Sequence, residues 1–113
     1  MTIEATIQSA LGTLVSGRCY PLIAPDSVAK PYIIYQIISD VQFNDLDGFA
    51  GLSQKRCQID VYHTSYGAVK TLAASIKTSM ATALSQSVHL SSRDLHETDT
   101  QLYRISMDFS VWG

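Results

Sequence analysis

Charge is scarce in this chain. Asp, Glu, Lys and Arg make up 16% of its 113 residues, against roughly 25% in an ordinary globular domain. The eight cations are scattered, Lys55-Arg56 is their one adjacent pair, and the net charge is −2. A phosphate backbone needs a basic patch, so nucleic-acid binding by such a patch is excluded. No apolar run approaches the roughly 18 residues of a membrane span. The start, Met1-Thr2-Ile3-Glu4, lacks the basic and apolar regions of a signal peptide. The expected location is therefore the cytoplasm in which the chain is made. Cysteine is nearly absent too: Cys19 and Cys57 stand alone, no C-x-x-C occurs, and two free thiols are expected in a reducing compartment.

Chemistry is missing in the same way. His63, His89 and His96 form no H-x-H or H-E-x-x-H, so no metal site is expected. Asn44-Asp45-Leu46-Asp47-Gly48 has the residues of a calcium loop but no closing glutamate, and it reads as a turn. Cys57 and His63 share a side of one strand but lie about 20 Å apart at strand rise, too far for a nucleophile and its base. There is no G-x-S-x-G, P-loop or G-x-G-x-x-G. No catalytic, metal or cofactor residue emerges, and no cofactor is expected.

What is present is periodicity. The length fits one domain over residues 1–113. Ile3, Ile7, Ala10, Leu11, Leu14 and Val15 recur at helical spacing, with Gly17 as a stop. Residues 18–31 hold all three prolines (Pro21, Pro25 and Pro31) and read as a surface loop. Tyr32 to Ser39 is a first strand, apolar on both sides. Asp40 to Ser53 reads as a long hairpin arm or loop. It is rich in turn formers, yet it carries Phe43, Leu46, Phe49 and Leu52, more apolar bulk than solvent favours. Gln54 to His63 is a second, alternating strand. Tyr66 to Leu84 is a helix with a stripe through Val69, Ala73, Ile76 and Met80, capped by Thr64 or Ser65. Val88 to His96 and Gln101 to Trp112 are third and fourth strands.

Pairing the second and fourth strands so that residue numbers sum to 164 sets Arg56 opposite Asp108 and Asp60 opposite Arg104. Each such pair is worth roughly 0.2–1 kcal/mol. The expectation is an α+β fold. It is a four-stranded antiparallel sheet, order 1-2-4-3, a split β-α-β unit with both helices on one face. Arg56, Gln58, Asp60, Tyr62, Arg104, Ser106 and Asp108 then share the other face. That face is either solvated or a polar subunit interface.

Several stretches together resemble one family. They are Arg18-Cys19-Tyr20-Pro21, Pro31-Tyr32-Ile33-Ile34-Tyr35-Gln36, Leu46-Asp47-Gly48, Arg56-Cys57-Gln58-Ile59-Asp60-Val61-Tyr62, Ser65-Tyr66, and the closing run from Leu102 to Trp112. In order, and over nearly the whole chain, they resemble the small tail-completion proteins of long-tailed bacteriophages and prophages, a group overlapping the tail terminators and neck-joining proteins. The resemblance implies a structural, non-enzymatic subunit. It implies a ring, commonly a hexamer, that caps the head-proximal end of the tail tube and helps join tail to head. Its partners would be further copies of itself, the tail tube protein and a head-completion or connector protein. It would be found in the host cytoplasm during assembly and in the tail or neck of the virion. The candidate contact residues are Phe43, Leu46, Asp47, Phe49 and Leu52 on the arm and Arg56, Asp60, Tyr62, Arg104 and Asp108 on the outer sheet face. Two other readings stay open: another minor tail or head-completion protein, or a small-ligand-binding or enzymatic α+β domain.

Overall fold

The computed structural model describes residues 3–25, 27–45, 48–84 and 87–112; side chains are described outside 41–53 and 112. Helix α1 (Ile3–Gly12) continues into a 3-10 turn, Thr13–Val15. Ile7, Leu11 and Val15 are wholly buried, the stripe that helical spacing requires. The chain leaves the helix through two left-handed residues, Ser16 and Gly17. The Gly17 N–H donates to the Gly12 carbonyl at 2.7 Å, so a glycine at the stop has a defined geometric role.

Strand β1 (Cys19–Pro21) follows. Then come β2 (Tyr32–Asp45), β3 (Gly48–His63), helix α2 (Tyr66–Ala83), β4 (Ser87–Glu97) and β5 (Leu102–Trp112). The sheet has five strands in the order β1-β2-β3-β5-β4. β1 is parallel to β2, and every other neighbour pair is antiparallel. This overturns the expected four-stranded, all-antiparallel sheet: the sheet is mixed. The missed strand lies in the proline-rich segment read as a loop. It is three residues long and ends on Pro21, and such an edge position is one a sheet permits to proline.

The second and fourth expected strands, β3 and β5, are neighbours, but their register is not the expected one. Arg56 lies opposite Ser110, Gln58 opposite Asp108, Asp60 opposite Ser106 and Tyr62 opposite Arg104. The slip is two residues, which keeps each side chain on its face and sets Val61 against Ile105 and Ile59 against Met107 in the core. The charges still meet diagonally. Arg104 Nη2 is 3.2 Å from Asp60 Oδ2, and Arg56 Nη2 is 3.8 Å from Asp108 Oδ2. Diagonal neighbours lie within reach of long side chains, so charge matching cannot separate registers two apart.

Helix α2 closes the core. Val69, Ala73, Ile76 and Met80 are buried, and the Ser65 side chain caps its start by accepting from Ala68 N. Tyr66 and Lys70 reach across to β4. The Tyr66 hydroxyl donates to Asp94 Oδ2 at 2.7 Å, and Lys70 Nζ lies 3.3 Å from the same oxygen. The Tyr66 hydrogen bond, with Lys70 behind it, holds the Asp94 carboxyl below its ordinary pKa. A carboxylate lowered by folding stabilises above its unfolded pKa, and the contribution is lost as pH falls through and below about 4. In Asp94→Asn, the thermal midpoint should therefore drop less between about pH 7 and about pH 3 than in the wild type. Parallel pH profiles would show that the contact contributes nothing.

Beyond the sheet, β2 and β3 continue as a two-stranded ribbon. β5 meets β3 only from Gln54 onward, while the β2–β3 ladder runs on through Phe43↔Leu52 to Asp45↔Gly48. At strand rise this arm extends about 13 Å along β2, and the long axis of the molecule is 53 Å against 25 and 23 Å.

Candidate functional site: the outer sheet face and its arm

The face of the sheet opposite the helices is built in rows that cross the strands. Tyr32, Tyr62, Arg104 and Leu95 form one row. Ile34, Asp60, Ser106 and Arg93 form the next, and Gln36, Gln58, Asp108 and Ser91 the third. Strand alternation alone places these side chains together.

The first two rows lock together. The Tyr32 and Tyr62 rings stack with centroids 4.7 Å apart, and the Arg104 guanidinium lies 5.7 Å from the Tyr62 centroid. Arg104 also holds Asp60 at 3.2 Å and approaches Glu97 at 3.9 Å. Burial, opposed by Arg104, pushes the Tyr62 hydroxyl up to about 12, so it stays a neutral donor at any physiological pH. Gln36 donates to Gln58 at 3.2 Å, and Gln58 donates to Ser106 at 3.0 Å and to Asp60 at 3.3 Å. Gln54 donates to Ser110 at 2.7 Å. Asp60, Ser106 and Ser110 are consequently buried. The face is covered by its own long side chains, which spend their hydrogen bonds within the sheet. Arg104 Nε alone is buried with no partner among the described side chains.

Of the residues singled out from sequence, Arg56, Asp60, Tyr62, Arg104 and Asp108 thus share one face. Phe43, Phe49 and Leu52 fall on the arm, with Phe43 opposite Leu52 and Asn44 opposite Phe49; their side chains lie outside the described ones. Leu46 and Asp47 lie outside the described residues altogether. Sequence reasoning missed Tyr32 and Glu97 as members of the cluster. Tyr32 was legible as the partner of Tyr62 once β2 and β3 were paired as a hairpin. Glu97 falls just beyond the expected third strand, where nothing in the sequence ties it to Arg104.

No group of three His, Cys, Asp or Glu residues among those described could hold a metal. Both cysteines are buried, and burial raises Cys19 to about 12 and Cys57 to about 11, which makes them inert thiols. Two clefts are shallow grooves, of which only the second touches the outer face's polar network, through Gln36. One, of about 450 Å³, is open and runs along α2 past Leu14, Thr71 and Thr78. The other, of about 270 Å³, is lined by Glu4, Pro21, Leu22, Tyr35, Gln36 and Ile37.

The fold has a counterpart in a chain from a structure described as the virion of a native gene transfer agent particle. The TM-score is 0.74 at 16% identity, covering 97% of this chain and 92% of that one. No curated protein matches the sequence. The family described as tail completion protein gp17 matches residues 5–113.

Proposed function

The chain belongs to the gp17 tail-completion family, which is structural and not enzymatic, and from this we propose that it caps the head-proximal end of a phage tail tube as a ring and helps join tail to head. A structural part in tail assembly follows from the family itself. The ring, a hexamer in the assembled tail, is the finer part of the proposal. So are its contacts with the tail tube protein on one side and a head-completion or connector protein on the other. Assembly takes place in the host cytoplasm, and the finished subunit sits at the tail or neck of the virion.

One observation carries this reading above all: the β2–β3 ribbon that leaves the sheet at Gln54. An isolated two-stranded ribbon is marginal in water. The sequence of this segment contains Phe43, Leu46, Phe49 and Leu52, and apolar side chains of this size gain stability when a partner covers them. The arm is the proposed contact to a neighbouring subunit or to the tube. Arg56, Asp60, Tyr62, Arg104 and Asp108 present the polar surface beside it.

Removing Asn44 to Gly51 and closing the ribbon with a short turn tests the assignment. The expected product keeps a near-wild-type circular dichroism and unfolds cooperatively, since the part of β3 that pairs with β5 (Gln54–His63), β5 itself and the helices are untouched. It fails to complete tails in a complementation assay scored by electron microscopy. Normal tails from that variant would remove the arm from the mechanism.

A further inference from the structure

Seven large hydrophobic side chains are exposed among the described residues: Leu22, Ile23, Ile38, Tyr66, Val88, Leu90 and Leu95. All but Tyr66 sit at the two edges of the sheet. Val88, Leu90 and Leu95 lie on β4, the last strand on one side. Leu22 and Ile23, 70% and 77% exposed, directly follow β1 on the other side. Ile38 is the extra residue of the bulge in β2 between Ile37 and Ser39. β1 covers β2 only at Ile33–Tyr35, so from Gln36 onward that edge of β2 is open.

Soluble proteins blunt such edges with proline, lysine or a covering segment. Neither β4 nor the stretch from Gln36 to Asp45 contains a proline or a lysine; the charges of β4 are Arg93, Asp94 and Glu97 toward one end, and its other end, with Val88 and Leu90, carries none. The apolar residues at the β1 side are also held in place rather than loose. Leu22 has left-handed backbone, φ +66, with its N–H bonded to the Tyr35 carbonyl at 2.9 Å and the Ile23 N–H bonded to Pro21 at 2.7 Å. A leucine in that conformation is strained, and the strain presents an apolar side chain to the outside.

The two edges fit one another. From β2 through β3 and β5 to β4 every step is antiparallel, so β2 and β4 run in opposite directions. When a second copy stands beside the first in the same orientation, its β2 lies antiparallel to β4 of the first. That contact is heterologous, joining two different surfaces, and repeated by rotation it closes a ring. A two-fold contact of β4 with β4 would instead leave Leu22, Ile23 and Ile38 uncovered on both copies.

We propose that β4 of each copy adds as a strand to the open edge of β2 in the next copy, so that the sheets run continuously around the ring. This rests on the ring reading above and names the surface that builds the ring.

Backbone alternation selects the test. The Ile33 N–H bonds to Arg18 O, and Tyr35 O accepts from Leu22 N, so both residues turn their backbone groups toward β1. Following the rows Ile33-Val61-Ile105-Asp94 and Tyr35-Ile59-Met107-Ser92, each ladder alternates, and Asp94 and Ser92 turn theirs outward. Ser92→Pro therefore removes an outward N–H while leaving the β4–β5 ladder intact. Leu90→Lys places a charge at the same edge.

Solution mass is measured by light scattering over a concentration series for wild type and both variants, with and without purified tail tubes, beside circular dichroism and thermal melts. The expected result is a ring-sized wild type. Both variants should be folded, with their half-assembly concentration raised roughly tenfold or more. Should Ser92→Pro fail to fold, Leu90→Lys decides. Variants that assemble like the wild type overturn the edge proposal and leave the ring standing, and a wild-type dimer overturns it in favour of the two-fold contact. A wild type that stays monomeric even on tubes removes the ring reading itself.

Discussion

Replacing Phe109 by alanine should lower the unfolding free energy by about 3–5 kcal/mol, a large part of the roughly 5–15 kcal/mol a domain of this size possesses. Among the described side chains Phe109 is the largest that is fully buried. It stands opposite Cys57, itself wholly buried, on one side and His89 on the other, and the His89 ring packs against it at 5.2 Å. No backbone slack surrounds it: β5 is hydrogen-bonded to strands on both sides, so the cavity cannot close by moving the strand. The transfer loss and the cavity term therefore add in full. A drop in thermal midpoint of about 20 °C is expected. A drop under about 5 °C would mean that the sheet shifts to refill the space, which the two ladders oppose. His89→Ala, at an exposed position on the edge strand, should cost under about 1 kcal/mol by comparison.

The elements that sequence reasoning reached are those in which burial repeats with a fixed period. The α2 stripe through Val69, Ala73, Ile76 and Met80 is one, and the alternation Cys57, Ile59, Val61 on β3 another. β1 had no period to show: three residues, one of them proline, contain too little pattern, and its pairing with Ile33–Tyr35 is a fact of tertiary structure. The register error has a different origin. Residues two apart share a face, so apolar alternation fits sums of 164 and 166 equally well, and the twist of the strands brings diagonal charges together in the observed one. Of the candidate site, the polar face was legible because its members alternate with core residues. The exposed edge residues Val88, Leu90 and Leu95 were not: each reads in sequence as an ordinary strand residue, and only the strand order shows that nothing covers them. Leu22 was hidden for the same reason, since a positive φ at a leucine has no sequence signature.

The Arg104–Asp60 pair gives the second large effect, and it separates what the outer face does for the fold from what it does for assembly. The carboxylate of Asp60 has an 11% exposed side chain and accepts from Arg104 at 3.2 Å. Its other hydrogen bonds come from Gln58 at 3.3 and 3.5 Å. Arg104→Ala takes away the guanidinium and its packing on Tyr62 while the acid stays behind. A buried charge that loses its partner costs about 2–3 kcal/mol even with one hydrogen-bonding neighbour left. Removing both groups, in Arg104→Ala with Asp60→Ser, should cost less than Arg104→Ala alone, because no orphaned carboxylate remains. A double-mutant cycle in denaturant measures the difference, and a coupling energy near zero would show that solvent satisfies Asp60 without help. The double variant then serves assembly. It keeps a folded sheet, leaves both open edges intact, and loses only the charged centre of the outer face. If rings form from the edges and tails are completed by the arm, this variant should still assemble at wild-type concentration. A loss of assembly with the fold preserved would move the subunit contact from the edges of the sheet to its face.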